Sequence, residues 1–185
     1  MTHSIIIATF EVESEAYQAL AELKQNPGNK DSFVSQAVLV RKENGKLNTL
    51  EKYDTGSHTT DDTMMGGLLG AVIGVLGGPI GIIFGGLYGL IIGNAIDSTD
   101  AYKESTLIAQ IAGKMEDGQI AIIGLAMEKD ESVLDERLNK FKVTIVRYDS
   151  EEVAKEVKEA KRVAKEMARV ARTEMQSTDS KEENV

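Results

Sequence analysis

Few residues of this chain are of types that perform chemistry, and they lie in two short polar segments. The sequence has no cysteine and only two histidines, which excludes thiolate nucleophiles, disulfides and zinc–thiolate sites. His58 precedes Asp61 and Asp62, a grouping that could hold a metal ion but is far more typical of a solvated linker. Asp97 and Asp100 could form a general-acid pair, although helix capping explains them more simply. We therefore expect no enzymatic activity, no metal and no cofactor.

Phosphate binding is the other chemistry to consider, because one stretch of the chain is rich in glycine. Residues 63–96 hold 11 of the 17 glycines and no charged residue. A dinucleotide-binding fingerprint needs glycines two residues apart, and a P-loop needs a lysine after its last glycine. The stretch has neither feature, so both phosphate-binding motifs are excluded.

The glycines instead recur four residues apart, which predicts close packing between helices. Positions four apart lie on one side of a helix, so each series forms a groove that another helix can approach closely. Gly77-Gly78-Pro79 supplies a turn, since proline is favoured in the first turn of a helix, and the stretch is predicted to form a helical hairpin. The predicted helix-packing residues are Gly66, Gly70, Gly74, Gly77, Gly81, Gly85, Gly89 and Gly93.

Three environments suit such a hairpin. The uncharged run exceeds the ~20 residues that cross a bilayer, which makes insertion in a membrane the leading interpretation. A single span would place the two halves of the flanking domain on opposite sides of the membrane, whereas a hairpin keeps both halves on the same side. The arms, roughly 21 and 26 Å long, are shorter than the ~30 Å hydrocarbon core, and the flanking residues are acidic rather than basic. Self-association in a soluble assembly and burial against the flanking domain are the alternatives.

The segments on either side of the stretch have the pattern of alternating strands and helices. Runs rich in β-branched residues predict strands, and apolar residues at helical spacing predict helices between them. Asn44-Gly45 favours a type I′ hairpin turn, and Gly124 marks a strand position that bends or is approached closely. The predicted order is a strand at 4–12, a helix from Glu15 capped by Ser14, strands at 33–41 and 47–53, a helix at 102–115, a strand at 119–127, a helix at 132–141 and a strand at 143–148.

This order predicts an α+β fold, specifically a ferredoxin-like sandwich with helices on one face of a mostly antiparallel sheet. The glycine-rich helical hairpin is inserted in it, and an amphipathic helix follows at the C-terminus. The predicted boundaries are 1–62 and 97–149 for the two halves of the α+β domain, 63–96 for the hairpin, 150–176 for the charged helix and 177–185 for a disordered tail.

The helix predicted at 150–176 carries a heptad pattern and a local positive charge. Six basic residues lie between Lys158 and Arg172, against two acidic ones. A solvated helix, a helix packed on a partner helix and a helix lying on an anionic membrane surface all fit this pattern. The chain as a whole has a net charge of −9, so we expect no nucleic-acid partner. The heptad positions are Val153, Val157, Ala160, Ala164, Met167 and Ala171.

The whole arrangement resembles a bacterial family of uncharacterised predicted membrane proteins. The resemblance covers Ser4 to Glu152 and rests on IIIATFEVESEAYQALAELK, VLVRKENGKL, the glycine-zipper hairpin, IDSTDAYKE, LIAQIAGKMEDGQIAIIGLAME and VTIVRYDSEE, in this order. It implies membrane association and a non-enzymatic role, in envelope or stress physiology. We therefore expect a membrane-associated protein on the cytoplasmic side, in contact with lipid and self-associating through the hairpin. The alternative is a cytoplasmic regulatory or ligand-binding module that oligomerises through the hairpin.

Overall fold

The structure is a computed structural model that describes residues 2–56, 62–77 and 107–162, together with residues 165 and 169. Five strands in these ranges form one antiparallel sheet in the order β3-β2-β4-β1-β5. The strands are β1 (Thr2–Phe10), β2 (Ser32–Glu43), β3 (Lys46–Asp54), β4 (Ile120–Glu128) and β5 (Val143–Asp149). The helices are α1 (Glu13–Gln25), α2 (Asp62–Gly77), α3 (Leu107–Gly113) and α4 (Ser132–Leu138), and residues 150–162 are also helical. The mixed α+β class predicted from the sequence is confirmed.

Every strand predicted from the sequence is present, with ends shifted by a few residues. The turn between β2 and β3 has φ angles of 53° at Asn44 and 74° at Gly45. Positive φ at both central residues defines the predicted type I′ turn. The predicted cap of α1 is wrong, because the helix begins at Glu13 and its N-cap position, Val12, makes no side-chain hydrogen bond. Glu13 and Glu15 instead place negative charge in the first turn, where the helix dipole favours it.

The sheet is covered by helices on both faces, which corrects the prediction of helices on one face. Successive residues of β1 point to opposite sides, and Ile5, Ile6, Ile7 and Ala8 are all fully buried. A strand buried in this way needs an apolar layer on each side. We call the two sides the α1 face, covered by α1 and α4, and the α2 face, covered by α2, α3 and residues 150–162.

The helical residues 150–162 follow β5 directly and return across the α2 face. The Asp149 carboxylate accepts hydrogen bonds from the backbone N–H groups of Glu151 (2.9 Å) and Glu152 (3.0 Å), which caps the start of this helix. Val153, Val157 and Ala160 are buried in the α2-face core. The first half of the predicted heptad seam therefore packs on the sheet of its own chain.

Gly124 lies in the central strand β4, where two neighbouring strands approach its backbone. A Cβ atom at this position would lie 3.1 Å from the Gln36 carbonyl oxygen and 3.2 Å from Cγ1 of Ile6. The register of β2 against β4 shifts between Val34 and Gln36, next to this contact. The predicted close approach at Gly124 is confirmed.

Tyr148 of β5 places a polar atom in the α2-face core. The residue is 8 % exposed, and its hydroxyl has no hydrogen-bond partner among the described residues. Burial raises the pKa of the Tyr148 phenol, because the charged phenolate loses more from desolvation than the neutral form. Without a partner among the described residues, this buried hydroxyl lowers the stability of the folded state.

We expect Tyr148→Phe to increase the free energy of unfolding at pH 7 by about 1 kcal/mol, because a buried unsatisfied hydroxyl is removed. The raised pKa adds a pH dependence. Ionisation of Tyr148 does not affect stability below pH ~10, the ordinary pKa of tyrosine, and the folded state loses stability as the pH rises from there through the raised pKa. The phenylalanine variant should lose less stability in this range. Urea denaturation at pH 7 and at steps above pH 9 measures both effects.

Tyr17→Phe is the control, since Tyr17 is 40 % exposed, and the stability at pH 7 should not change. A Tyr148→Phe variant that is less stable than the wild type at pH 7 would contradict the unpaired state of the hydroxyl.

Candidate functional site

Helix α2 is the described part of the glycine-rich stretch, and it packs on the sheet by one side. Its large apolar residues recur at intervals of one, three and four, so they lie on the same side of the helix. That side contacts β2, β3 and β4 on the α2 face. The burial is nearly complete, at 5 % exposure or less, for Leu68, Leu69, Val72, Val75 and Leu76.

Over residues 67–77, the opposite side of α2 consists of glycine. Gly67, Gly70 and Gly74 are exposed, and a Cβ atom on any of them would meet no described atom within 4 Å. We call these three residues the glycine face. Ala71 and Ile73 lie at its margin, half-buried, and no charged residue occurs from Thr63 to Gly77.

The glycine face has an unusual composition for a helix surface in contact with water. Surface helices normally present charged and polar side chains on their outer side. Each interior glycine also costs about 0.8–1 kcal/mol relative to alanine. A surface without side chains cannot bind by functional groups, but it allows the backbone to come close to another helix or to an apolar surface. The glycine face is therefore a candidate contact surface rather than a catalytic one.

Gly77 ends α2 and is a glycine for a different reason. A Cβ atom there would lie 3.0 Å from the carbonyl oxygen of Leu47 in β3. The end of α2 thus lies against the backbone of the edge strand, and a side chain would press on it. Of the predicted helix-packing glycines whose surroundings the structure describes, Gly70, Gly74 and Gly77, only Gly77 closely approaches a strand.

Of the other predicted helix-packing glycines, some lie in α2 and some lie outside the described residues. Gly66 lies within α2, and Gly70 and Gly74 belong to the glycine face. The second arm lies outside the described residues, as does the turn after Gly77. The glycines of that arm are Gly81, Gly85, Gly89 and Gly93.

Chemical sites considered from the sequence receive no further support. Among the described residues, no group of three histidine, aspartate or glutamate side chains is arranged to hold a metal ion. His58, Asp61, Asp97 and Asp100 lie outside this part of the chain. In the same ranges, no helix combines the length and the apolar character that crossing a membrane requires.

A buried ion cluster joins β4, β5 and α4 on the α1 face. The Arg147 guanidinium donates two hydrogen bonds to the Glu128 carboxylate, from Nε to Oε2 at 2.9 Å and from Nη2 to Oε1 at 3.1 Å. Nη2 also donates to Oδ1 of Asp135 at 2.7 Å. The side chains of Arg147 and Glu128 are only 13 % and 2 % exposed. Bidentate pairing of this kind satisfies a buried carboxylate with fixed geometry.

The electrostatics of this cluster indicate a positioning role. Burial by itself would lower the pKa of Arg147, but the hydrogen bonds and negative charges of Glu128 and Asp135 outweigh it and raise the pKa. The guanidinium therefore stays charged and holds α4 against the sheet. The cluster cannot be predicted from sequence patterns, because its three residues are brought together only by the strand register and by the packing of α4.

Comparison with protein-family models, with curated proteins and with solved structures finds no match to this chain.

The glycine face makes a direct prediction about stability. We expect Gly70→Ala and Gly74→Ala each to increase the free energy of unfolding by about 0.8–1 kcal/mol, because both positions have open space and alanine has the higher helix propensity. Gly77→Ala should gain less, since its methyl group meets the Leu47 carbonyl. Urea denaturation of the three variants measures the difference. A loss of stability in Gly70→Ala and Gly74→Ala would mean that the glycine face is covered in the folded chain.

Proposed function

We propose that this protein is a non-enzymatic, membrane-associated protein that attaches through residues 63–96, with its α+β domain on the cytoplasmic side. The observation that carries the proposal is the glycine face, an exposed and uncharged side of α2. In the sequence, α2 is followed directly by further uncharged residues, up to residue 96. A surface without polar groups loses little when it leaves water for lipid. The partners are membrane lipid and a second copy of the chain, with no nucleic acid.

The proposed architecture is a ferredoxin-like sandwich with an insertion. Leaving out β3, the units β1-α1-β2 and β4-α4-β5 interleave in the order β2-β4-β1-β5, which is the split β-α-β arrangement. β3 then extends one edge of the sheet. In this proposal α2 is the first arm of the inserted hairpin and residues 79–96 are the second. The amphipathic helix continues from residue 150 to 176 and offers its later heptad positions to a helical partner.

The packing of α2 limits how this attachment operates. Moving α2 into a bilayer would remove five large aliphatic side chains from the sheet, and each contributes about 1.5–3 kcal/mol of burial. These side chains would then be buried in lipid, but the apolar sheet surface that they cover would be exposed to water. We therefore propose that α2 stays on the sheet and that the glycine face and residues 78–96 make the membrane contact.

The test is a charge placed on the glycine face. Gly70→Glu with Gly74→Glu should release the protein from the membrane fraction, because carboxylates that enter lipid are strongly disfavoured. Both positions have open space, so the sheet contacts of α2 remain. The double alanine variant is the control and should stay with the membrane. Fractionation followed by a high-salt wash measures the distribution.

Full-length wild-type protein that is soluble and monomeric without detergent would contradict the proposal. Deletion of residues 64–96 is a poorer test, since it removes the five core residues of α2 along with the contact surface.

The alternative function is a soluble regulatory or ligand-binding module that oligomerises through the glycine-rich hairpin. The burial of the large side of α2 favours it, because the described part of the stretch is then accommodated in water. A groove of glycines also suits the close approach of a helix from a second copy.

This alternative predicts a discrete assembly that dissociates when leucine fills the groove. Gly70→Leu with Gly74→Leu should lower the molar mass measured by light scattering without detergent, whereas the double alanine variant should change it less. An unchanged mass in the leucine variant would exclude assembly through the glycine face. The equivalent substitutions in the second arm are Gly81→Leu and Gly85→Leu.

A further inference from the structure

The helix that begins at residue 150 separates its charges onto two flanks. With 100° per residue, the buried residues Val153, Val157 and Ala160 point to one side. On one flank of that side lie acidic residues, among them Glu152 and Glu156. The other flank is exposed and carries Glu151 in the first turn and basic residues beyond it, and positions 165 and 169 are helical like 150–162. We call this surface the basic flank; it comprises Lys155, Lys158, Lys161, Lys165 and Arg169.

The basic flank and the glycine face belong to the same layer of the molecule. Val153 and Val157 of one helix and Leu68 and Val72 of α2 are buried in the same core, on the α2 face of the sheet. The opposite layer differs in charge. Helix α1 holds three glutamates and one lysine, and α4 holds two acidic residues and one arginine. The molecule therefore presents an uncharged helix side and a basic helix side in one layer, and acidic helices in the other.

We propose that the basic flank is a binding surface for the anionic headgroups of phospholipids. It acts beside the glycine face as the second contact of one membrane-facing side. This inference rests on the proposed membrane association and adds the lipid class. Lysine side chains suit such a surface, because each combines a long apolar stem with a charged end that reaches the headgroups. Basic segments next to a membrane are attracted by the negative potential of anionic lipids.

Charge complementarity favours a lipid surface over a nucleic acid. The protein has a net charge of −9, so its overall electrostatic field repels a polyanion such as a nucleic acid. A membrane meets only one side of the molecule, and the acidic α1 and α4 helices lie on the far side of the sheet from it. Charges beyond about 10 Å are also largely screened at physiological salt.

The experiment measures binding of the full chain to two kinds of vesicle, phosphatidylcholine alone and phosphatidylcholine partly replaced by phosphatidylglycerol. The variant is Lys158→Gln with Lys161→Gln and Lys165→Gln, which keeps good helix formers at each position. The wild type should bind the anionic vesicles more tightly, and added salt should remove the difference. Each lysine contributes roughly fivefold, so the triple variant should lose on the order of 100-fold of its binding to anionic vesicles.

The matched control changes the net charge equally at exposed lysines elsewhere, Lys30→Gln with Lys46→Gln and Lys142→Gln, and should bind like the wild type. Equal binding of wild type and triple variant to anionic vesicles would overturn the inference. So would equal losses in the triple variant and the control. Binding of a nucleic acid that the triple variant loses, with vesicle binding unchanged, would also overturn it.

Binding to phosphatidylcholine alone separates this inference from the proposed function. The triple variant should retain it, whereas the glutamate variant of the glycine face should lose it. Absence of wild-type binding to both kinds of vesicle would contradict membrane association itself.

Discussion

The fold depends on the burial of one strand, β4, between two strands from the other half of the chain. β4 pairs with β1 on one side and with β2 on the other, although the glycine-rich stretch separates it from both in sequence. The four residues from Ile5 to Ala8 in β1 are buried on both faces, and so are Ala121, Ile122 and Ile123 in β4. A sheet of this kind forms only if both halves of the chain are on the same side of any membrane and if both faces receive an apolar layer.

This constraint decides the position of the glycine-rich stretch. The α1 face is filled by α1 and α4, but the α2 face needs further apolar side chains, and five of them come from α2. One stretch thus meets two requirements on opposite sides of the same helix. Its large residues complete the core, and its glycines leave a bare surface toward the outside. The absence of charge, which resembles a membrane span in the sequence, is partly explained by this packing.

Local structure was predictable because it depends on short-range chemistry. The strands followed from β-branched runs, the β2–β3 turn from Asn44-Gly45, and the tight contact at Gly124 from a glycine within a strand. What failed was the assignment of layers. A continuous apolar run such as Ile5-Ile6-Ile7 is typical of a strand buried on both faces, but periodicity does not specify which helix covers which face. The Arg147–Glu128–Asp135 cluster could not be predicted from the sequence either, since it depends on the register between strands that are distant in sequence.

The two proposed contacts differ in physical origin, and their combination explains how a small uncharged surface could suffice. The glycine face contributes through loss of contact with water, which depends little on salt, whereas the basic flank contributes through charge and weakens as salt is added. Both helices are packed on one sheet, so once one contact is made the other is already near the surface, and its effective concentration is high. Either contact alone would be weak and reversible. In the proposed attachment, a single layer that holds both contacts would make membrane binding respond to lipid charge without requiring a helix that crosses the bilayer.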